Sequence, residues 1–110
     1  MKTALVTGAA RGIGKAAADA LQKAGLRVLR LDLKGELAYD LTNLAGIAPL
    51  VESLGEIHLL VNNAGVQTAV SIDQYTDEQR ARILRVNLEA PVELIRDLKA
   101  VGFTMPGLAG

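Results

Sequence analysis

Short apolar runs alternate along the chain with longer segments in which apolar residues recur at helical spacing. Runs of this length are typical of strands, and a repeat every three or four residues is typical of helices. Strands that alternate with helices indicate an α/β protein with a parallel sheet. The pattern predicts strands over Thr3–Thr7, Arg27–Leu31, Leu37–Tyr39 and His58–Asn62, and helices over Ile13–Ala24, Leu44–Leu54 and Asp77–Ala100.

The link between the second and third predicted strands is unusually short. Only seven residues separate Asp32 from Asp40, whereas a parallel crossover through a helix needs about a dozen residues or more. We therefore predict that no helix joins these strands, and that the third strand is short and lies at a sheet edge. Pro49 lies inside the next helical segment, where we expect it to set the start of the helix or to bend it.

The first strand leads directly into a glycine-rich turn and then a helix. The glycines follow the spacing Gly8-x-x-x-Gly12-x-Gly14. Gly8 can turn sharply out of the strand, Gly12 lets the backbone approach a diphosphate, and Gly14 lets the helix pack closely on the sheet. The positive end of the helix dipole then points at the turn. A glycine-rich turn without a ligand is the alternative for this segment taken alone.

Asp32 comes directly after the second predicted strand, eighteen positions after Gly14. A carboxylate at this distance from a glycine turn can accept hydrogen bonds from both hydroxyls of an adenosine ribose. The alternative is a solvated residue at a strand end. Because the glycine turn precedes it, we favour the ribose contact.

Composition narrows the class of protein further. The chain has 110 residues, half of them hydrophobic, which leaves room for one domain. Twelve basic and twelve acidic residues give no net charge, and no basic block points to nucleic acid or to an anionic membrane. The sequence has one histidine and no cysteine, which excludes disulfides, thiolate chemistry and most zinc sites.

The lengths of the apolar runs indicate the cellular location of the protein. No run approaches the length of a membrane span. Gly8 and Arg11 interrupt the first apolar run before it is long enough for a secretory signal. We therefore expect a cytoplasmic protein.

The residues quoted so far resemble the short-chain dehydrogenase/reductase family, whose members carry a T-G-x-x-x-G-I-G loop. Every position of that loop is present from Thr7 to Gly14. Over about Lys2 to Leu98 the resemblance implies a Rossmann-type, doubly wound α/β fold, with about four parallel strands in the order 3-2-1-4 and helices on both faces. Three later motifs agree in order: Asp40-Leu41, Asn62-Asn63-Ala64-Gly65, and Asn87 within the long helix.

The resemblance also implies a nicotinamide cofactor and the residues that bind it. NAD is favoured over NADP, because Asp32 would lie against the ribose 2′-oxygen and repel a phosphate there, although Arg11 could meet such a phosphate. Asp40 would bond the adenine amino group, and Asn62 would tie neighbouring strands together. The implied cofactor-binding residues are Gly8, Arg11, Gly12, Ile13, Gly14, Asp32, Asp40, Leu41, Asn63, Ala64 and Gly65.

Asn87 is the catalytic residue that the resemblance implies. Its backbone carbonyl would hold a water that relays protons to a catalytic lysine. In an α-helix this carbonyl bonds the N–H of residue 91, and residue 91 is a proline, which has no N–H to donate. The Asn87 carbonyl is therefore expected to be free. A kinked helix with a solvated carbonyl is the alternative.

The family's hydride transfer also needs a serine and a tyrosine with a lysine four positions later. Neither Tyr39 nor Tyr75 has that lysine, and both precede the long helix, whereas the family's tyrosine follows it. Ser53 and Ser71 also come too early. The complete family member is expected to be an oxidoreductase that acts on an alcohol or carbonyl, while we predict that the 110 residues alone are inactive.

We expect residues 1–100 to form a truncated NAD(P)-binding Rossmann domain and residues 101–110 an irregular C-terminal tail. The expected partners are a small alcohol or carbonyl substrate and a second copy, bound through helix 77–100, which is more apolar than one buried face requires. Two alternatives stay open. The chain is a non-catalytic dinucleotide-binding or interaction module, or a scaffold fragment that binds nothing stably because residues 62–65 lie at an open sheet edge.

Overall fold

The structure is a computed structural model that describes residues 1–66 and 74–103. Ser71 and most of the predicted tail over residues 101–110 lie outside the described residues. The strands are β1 (Thr3–Thr7), β2 (Arg27–Asp32), β3 (Leu37–Ala38) and β4 (Leu59–Val61). The α-helices are α1 (Gly12–Lys23), α2 (Ile47–Leu54), α3 (Asp77–Leu84) and α4 (Ala90–Ala100).

The strands lie in the order β3-β2-β1-β4, and each neighbouring pair is parallel. The predicted doubly wound α/β fold and its strand order are confirmed. Every residue of the central strand β1 is buried, as expected for a strand covered on both faces. Leu5 packs in a core cluster with Ile47 of α2 and Leu94 of α4, whereas Val6 packs with Ala18 of α1. The helices therefore cover both faces of the sheet.

The link between β2 and β3 consists of residues 33–36, and no helix forms in it. β3 has two residues, which pair with the last two residues of β2 at the edge of the sheet. The predicted short edge strand is confirmed. The backbone N–H of Tyr39 donates to the carbonyl of Asp32 at 2.8 Å. This bond holds the residues that follow β3 beside the end of β2.

The helix predicted over Leu44–Leu54 consists of two parts. Leu44–Gly46 form a 3-10 turn, and α2 follows from Ile47. Pro49 is the third residue of α2. The first N–H groups of a helix have no carbonyl partner within it, so a proline in the first turn removes no hydrogen bond. Pro49 therefore marks the start of α2, as expected.

The prediction of one uninterrupted α-helix over Asp77–Ala100 is wrong in its middle. Arg85–Glu89 form a π-helical turn between α3 and α4, and the N–H of Ala90 bonds to the carbonyl of Arg85. Pro91 lies in the first turn of α4, where its missing N–H is tolerated. The proline thus coincides with a change of hydrogen-bond register that the helical spacing alone did not predict.

Within the described residues, none of the helices combines the length and the apolar character that a membrane crossing requires.

Candidate functional site

A cavity of about 380 Å³ opens where β1, β2 and β4 end and the following loops begin. Crevices outside the carboxyl ends of parallel strands are where open α/β sheets bind ligands. The glycine turn, the residues after β4 and the helix α3 all contribute to its lining. Ile13 and Gly14 do not line it, but all the other residues predicted to bind a cofactor do: Gly8, Arg11, Gly12, Asp32, Asp40, Leu41, Asn63, Ala64 and Gly65.

The glycine turn packs tightly against the chain that follows β4. A Cβ atom added to Gly8 would lie 2.9 Å from the Cα atom of Ala64, and one added to Gly14 would overlap the carbonyl oxygen of Gly8. Neither position has room for a side chain. Ile13 is 81% exposed and does not line the cavity. If Ile13 contacts a ligand there, the contact would come from its backbone N–H at the start of α1.

Thr7, the last residue of β1, holds the chain after β4 in place. Its Oγ1 atom accepts hydrogen bonds from the backbone N–H groups of Asn63 and Ala64, both at 3.0 Å. The same hydroxyl donates to the carbonyl of Val61 at 3.4 Å. Thr7 is 1% exposed, and buried polar groups need such partners. Sequence reasoning missed this role of Thr7, because its hydrogen-bond partners lie more than fifty positions away.

The side chain of Asn63 connects two of these segments, while the role of Asn62 in tying strands together stays a prediction. The Nδ2 atom of Asn63 donates to the carbonyl of Gly8 at 3.3 Å, which joins the glycine turn to the chain after β4. Asn62 is exposed. Asn63 therefore both lines the cavity and supports its glycine wall.

Asp32 lies at the end of β2, and its carboxylate is fixed by two backbone groups. Oδ2 accepts a hydrogen bond from the N–H of Ala10 at 3.0 Å, and Oδ1 accepts one from the N–H of Leu33 at 2.7 Å. Each carboxylate oxygen can accept more than one hydrogen bond. The carboxylate is therefore oriented at the cavity wall and can still accept hydrogen bonds from a ligand.

Arg30 is held away from the cavity. Its Nη2 atom donates to Asp19 at 2.7 Å and to Gln22 at 2.8 Å, both on α1. Hydrogen bonds from Lys15 and from Arg30 lower the pKa of the Asp19 carboxyl below its ordinary value. Arg11 is therefore the basic residue near the glycine turn that remains to line the cavity.

Asp40 follows β3 and forms a tight turn with Thr42. Its Oδ1 atom accepts hydrogen bonds from the backbone N–H of Thr42 at 2.9 Å and from the Thr42 hydroxyl at 2.8 Å. These two bonds, with a smaller effect from the charge of Arg82, lower the pKa of Asp40 below its ordinary value. At neutral pH this carboxylate is ionised and can only accept hydrogen bonds.

Asn87 lies in the π-helical turn and binds the backbone of Val66 through its side chain. Its Oδ1 accepts a hydrogen bond from the N–H of Val66 at 2.7 Å, and its Nδ2 donates to the carbonyl of Val66 at 2.8 Å. Sequence reasoning assigned a role only to the Asn87 carbonyl and missed this pair of bonds. The two residues line a second cleft of about 570 Å³, with Arg11, Gly65 and Arg82.

The change of helical register also bears on the Asn87 carbonyl. In an α-helix an N–H at residue 91 would donate to the carbonyl of Asn87. In a π-helical turn, where the bond spans five residues, it would donate to the carbonyl of Val86 instead. Pro91 therefore removes a donor from this turn in either case. That the carbonyl of Asn87 is the free one stays a prediction.

The lining of the 380 Å³ cavity has three chemically different parts. Asp32 and Asp40 are acceptors for hydroxyl and amino groups. Arg11 and the positive end of α1 favour an anion. Apolar side chains, among them Leu41 and Val86, can contact a flat base. This set fits the ribose, the phosphates and the base of a nucleotide. The part of the chain that the structure describes holds no group of three or more potential metal ligands.

Comparisons with known proteins agree with this chemistry. The chain matches the family model for short chain dehydrogenases over residues 2–45 and 36–101. It is 37% identical over 108 residues to an uncharacterised short-chain type dehydrogenase/reductase of Sinorhizobium fredii, a match that covers 86% of this chain and 44% of that protein.

Two solved structures are similar in fold. A metagenomic short-chain oxidoreductase in complex with NADP has a TM-score of 0.82 and 30% identity, covering 90% of this chain and 55% of that one. A 4-hydroxyisoleucine dehydrogenase complexed with NADH has a TM-score of 0.84 and 26% identity, covering 92% of this chain and 49% of that one. The chain thus spans about half the length of the relatives it matches.

Proposed function

The chain belongs to the short-chain dehydrogenase/reductase family, and we propose that its residues form the cofactor-binding half of an NAD(P)-dependent oxidoreductase. In the complete protein, hydride would pass between the nicotinamide and an alcohol or carbonyl substrate. The observation that carries the proposal is the cavity in which the glycine turn, Asp32 and Asn63 meet. Similar proteins whose structures hold NADP or NADH support a nicotinamide cofactor.

Each part of the cavity has a place in this proposal. The turn from Gly8 to Gly14, with the N-terminus of α1, would bind the diphosphate. Asp32 would accept the hydroxyls of the adenosine ribose. Asp40 and Leu41 would contact the adenine, and Asn63–Gly65 would line the adenosine ribose and the path toward the nicotinamide. When bound, the cofactor supplies the hydride carrier, while these residues orient it.

Asn87 is the residue that we propose for proton relay in the complete protein. Its carbonyl would hold the water, and the two bonds between its side chain and Val66 support this by fixing the residue beside the second cleft. Pro91 supports it too, because the turn lacks one backbone donor there.

The 110-residue chain should show no dehydrogenase activity. Burial, with a smaller effect from the charge of Asp40, raises the pKa of Tyr39 above its ordinary value, so this phenol cannot act as a base at neutral pH. Tyr75 has no lysine four positions later. The measurement is reduction of a panel of carbonyl compounds with NADH and with NADPH, beside a heat-denatured control. Turnover above that control that survives repurification would contradict the prediction.

We propose that the chain self-associates through the region 77–100. Leu84, Leu88 and Val92 lie there and are 44%, 58% and 59% exposed, and a second copy would remove this apolar surface from water. Sedimentation velocity over a range of concentrations should show an oligomer, and Leu88→Lys should shift it toward monomer. Lys23→Ala is the control, because Lys23 is exposed and lies on α1, outside this region. A monomeric chain whose melting temperature is independent of concentration would contradict the proposal.

A cytoplasmic location completes the proposal. Its support is in the sequence, which contains no cysteine and therefore no disulfide.

A further inference from the structure

Arg82 lines the cavity, although the sequence motifs did not single it out. It lies on α3, and Val86, which follows it by four residues, lines the same cavity and is buried. Arg82 is exposed. This wall of the cavity therefore has an apolar inner part and a basic outer part.

The start of α3 fixes where Arg82 lies. Thr76 and Gln79 form a reciprocal capping box: the N–H of Gln79 donates to the Thr76 hydroxyl at 3.0 Å, and the N–H of Thr76 donates to Oε1 of Gln79 at 2.9 Å. Such caps stabilise the first turn of a helix. Within residues 1–66 and 74–103, the Arg82 guanidinium takes part in no hydrogen bond or ion pair, so it can turn toward a ligand.

Two charges decide the direction in which Arg82 is drawn. Asp40 and Arg82 line the same cavity and carry opposite charges, and the charge of Arg82 makes a small contribution to the lowered pKa of Asp40, so the two groups attract each other. Arg11 lines the same cavity and carries the same charge as Arg82, so these two repel. Arg82 also lines the second cleft together with Arg11, so the attraction of Asp40 is what favours a position of the guanidinium beside Asp40 and Leu41.

We propose that Arg82 is a further cofactor-binding residue, whose planar guanidinium covers the adenine ring and closes the outer side of the adenosine half of the cavity. A guanidinium lies favourably on the face of an aromatic ring. Val86 contacts the ring from the inner side, and Asp40 holds Arg82 near that position before the cofactor binds. This inference rests on the proposed function.

The experiment compares the unmodified chain with Arg82→Ala, Arg82→Lys and Arg80→Ala. Arg80 is the matched control, because it lies on the same helix, is exposed and does not line the cavity. Fluorescence titration measures NADH binding, and chemical-shift titration by NMR measures the binding of adenosine and of inorganic diphosphate. Equal thermal melts establish that the variants fold alike.

We expect Arg82→Ala to weaken the binding of NADH and of adenosine by the same factor, about tenfold, and to leave diphosphate binding unchanged. Arg82→Lys keeps the charge but loses the planar group, so it should restore only part of the affinity. Arg80→Ala should bind like the unmodified chain.

Two results would overturn the inference while leaving the proposed function intact: NADH binding that Arg82→Ala does not change, or a loss that appears with diphosphate but not with adenosine. An unmodified chain that binds none of the three ligands would overturn the proposed function, and this inference with it.

Discussion

Replacing Gly14 with alanine is expected to abolish cofactor binding and to lower the free energy of unfolding by about 3 kcal/mol. The added Cβ atom would overlap the carbonyl oxygen of Gly8 and lie 2.5 Å from the Nδ2 atom of Asn63. A flexible side chain could move aside, but a backbone carbonyl in a tight turn cannot do so without moving the turn. The bond between Asn63 and Gly8 would be lost with it, and so would the wall that faces the diphosphate.

Gly12→Ala is the control for this effect on stability. No atom beyond the adjacent backbone lies within 4 Å of a Cβ added there, and the φ of Gly12 is +59°. The substitution therefore meets only the backbone strain of the left-handed region, roughly 1–2 kcal/mol. Urea unfolding of both variants compares the two effects, and NADH titration tests Gly14→Ala for binding. If Gly14→Ala unfolded at the same urea concentration as the unmodified chain and bound NADH, the close packing of this turn would be disproved.

Asp32→Ala combined with Leu33→Arg is expected to narrow or reverse the preference for NAD(H) over NADP(H). A 2′-phosphate would lie against the Asp32 carboxylate, and like charges about 4 Å apart near a protein surface repel by roughly 4 kcal/mol. Arg11 offsets part of that repulsion. Arg30 does not, since its guanidinium is hydrogen-bonded to Asp19 and Gln22 of α1. The ratio of the two dissociation constants should therefore change by about one to two orders of magnitude.

Two single variants separate the contributions to this preference. Asp32→Asn removes the charge but keeps an oxygen that can accept the hydrogen bond from Ala10 or Leu33. This single variant should therefore show most of the change in the ratio of the two dissociation constants. Leu33→Ala alters the neighbouring side chain without a charge and should leave the ratio almost unchanged. Calorimetric titration with both cofactors measures the ratio. An Asp32→Asn chain with an unaltered ratio would exclude Asp32 as the selecting residue.

The sequence was sufficient to predict the fold because the information about it is local. The all-buried strand Thr3–Thr7, the glycine turn and the seven residues between Asp32 and Asp40 each restrict the chain over a short range. Parallel pairing and the absence of a helix between β2 and β3 follow from these segments. Nearly all the cofactor residues that the family resemblance implies line one cavity.

What could not be predicted depends on contacts between distant segments. The hydroxyl of Thr7 accepts hydrogen bonds from residues more than fifty positions away, and no spacing in the sequence reports that. Asn62 and Asn63 are chemically identical, so only the direction in which each side chain leaves the backbone decides which one reaches Gly8. Arg82 enters the cavity because of the way α3 packs, and the helical pattern alone does not fix that direction.

Titration of the unmodified chain with NADH and with NADPH, followed by cofactor fluorescence and repeated by calorimetry, tests the central claim most directly. The claim is that the cavity at the carboxyl ends of β1, β2 and β4 binds a nicotinamide dinucleotide and that Asp32 selects NAD(H). The account predicts saturable binding at one site per chain, with NADH bound more tightly than NADPH. The absence of saturable binding by either cofactor would contradict the binding site, and tighter binding of NADPH would contradict the selection by Asp32.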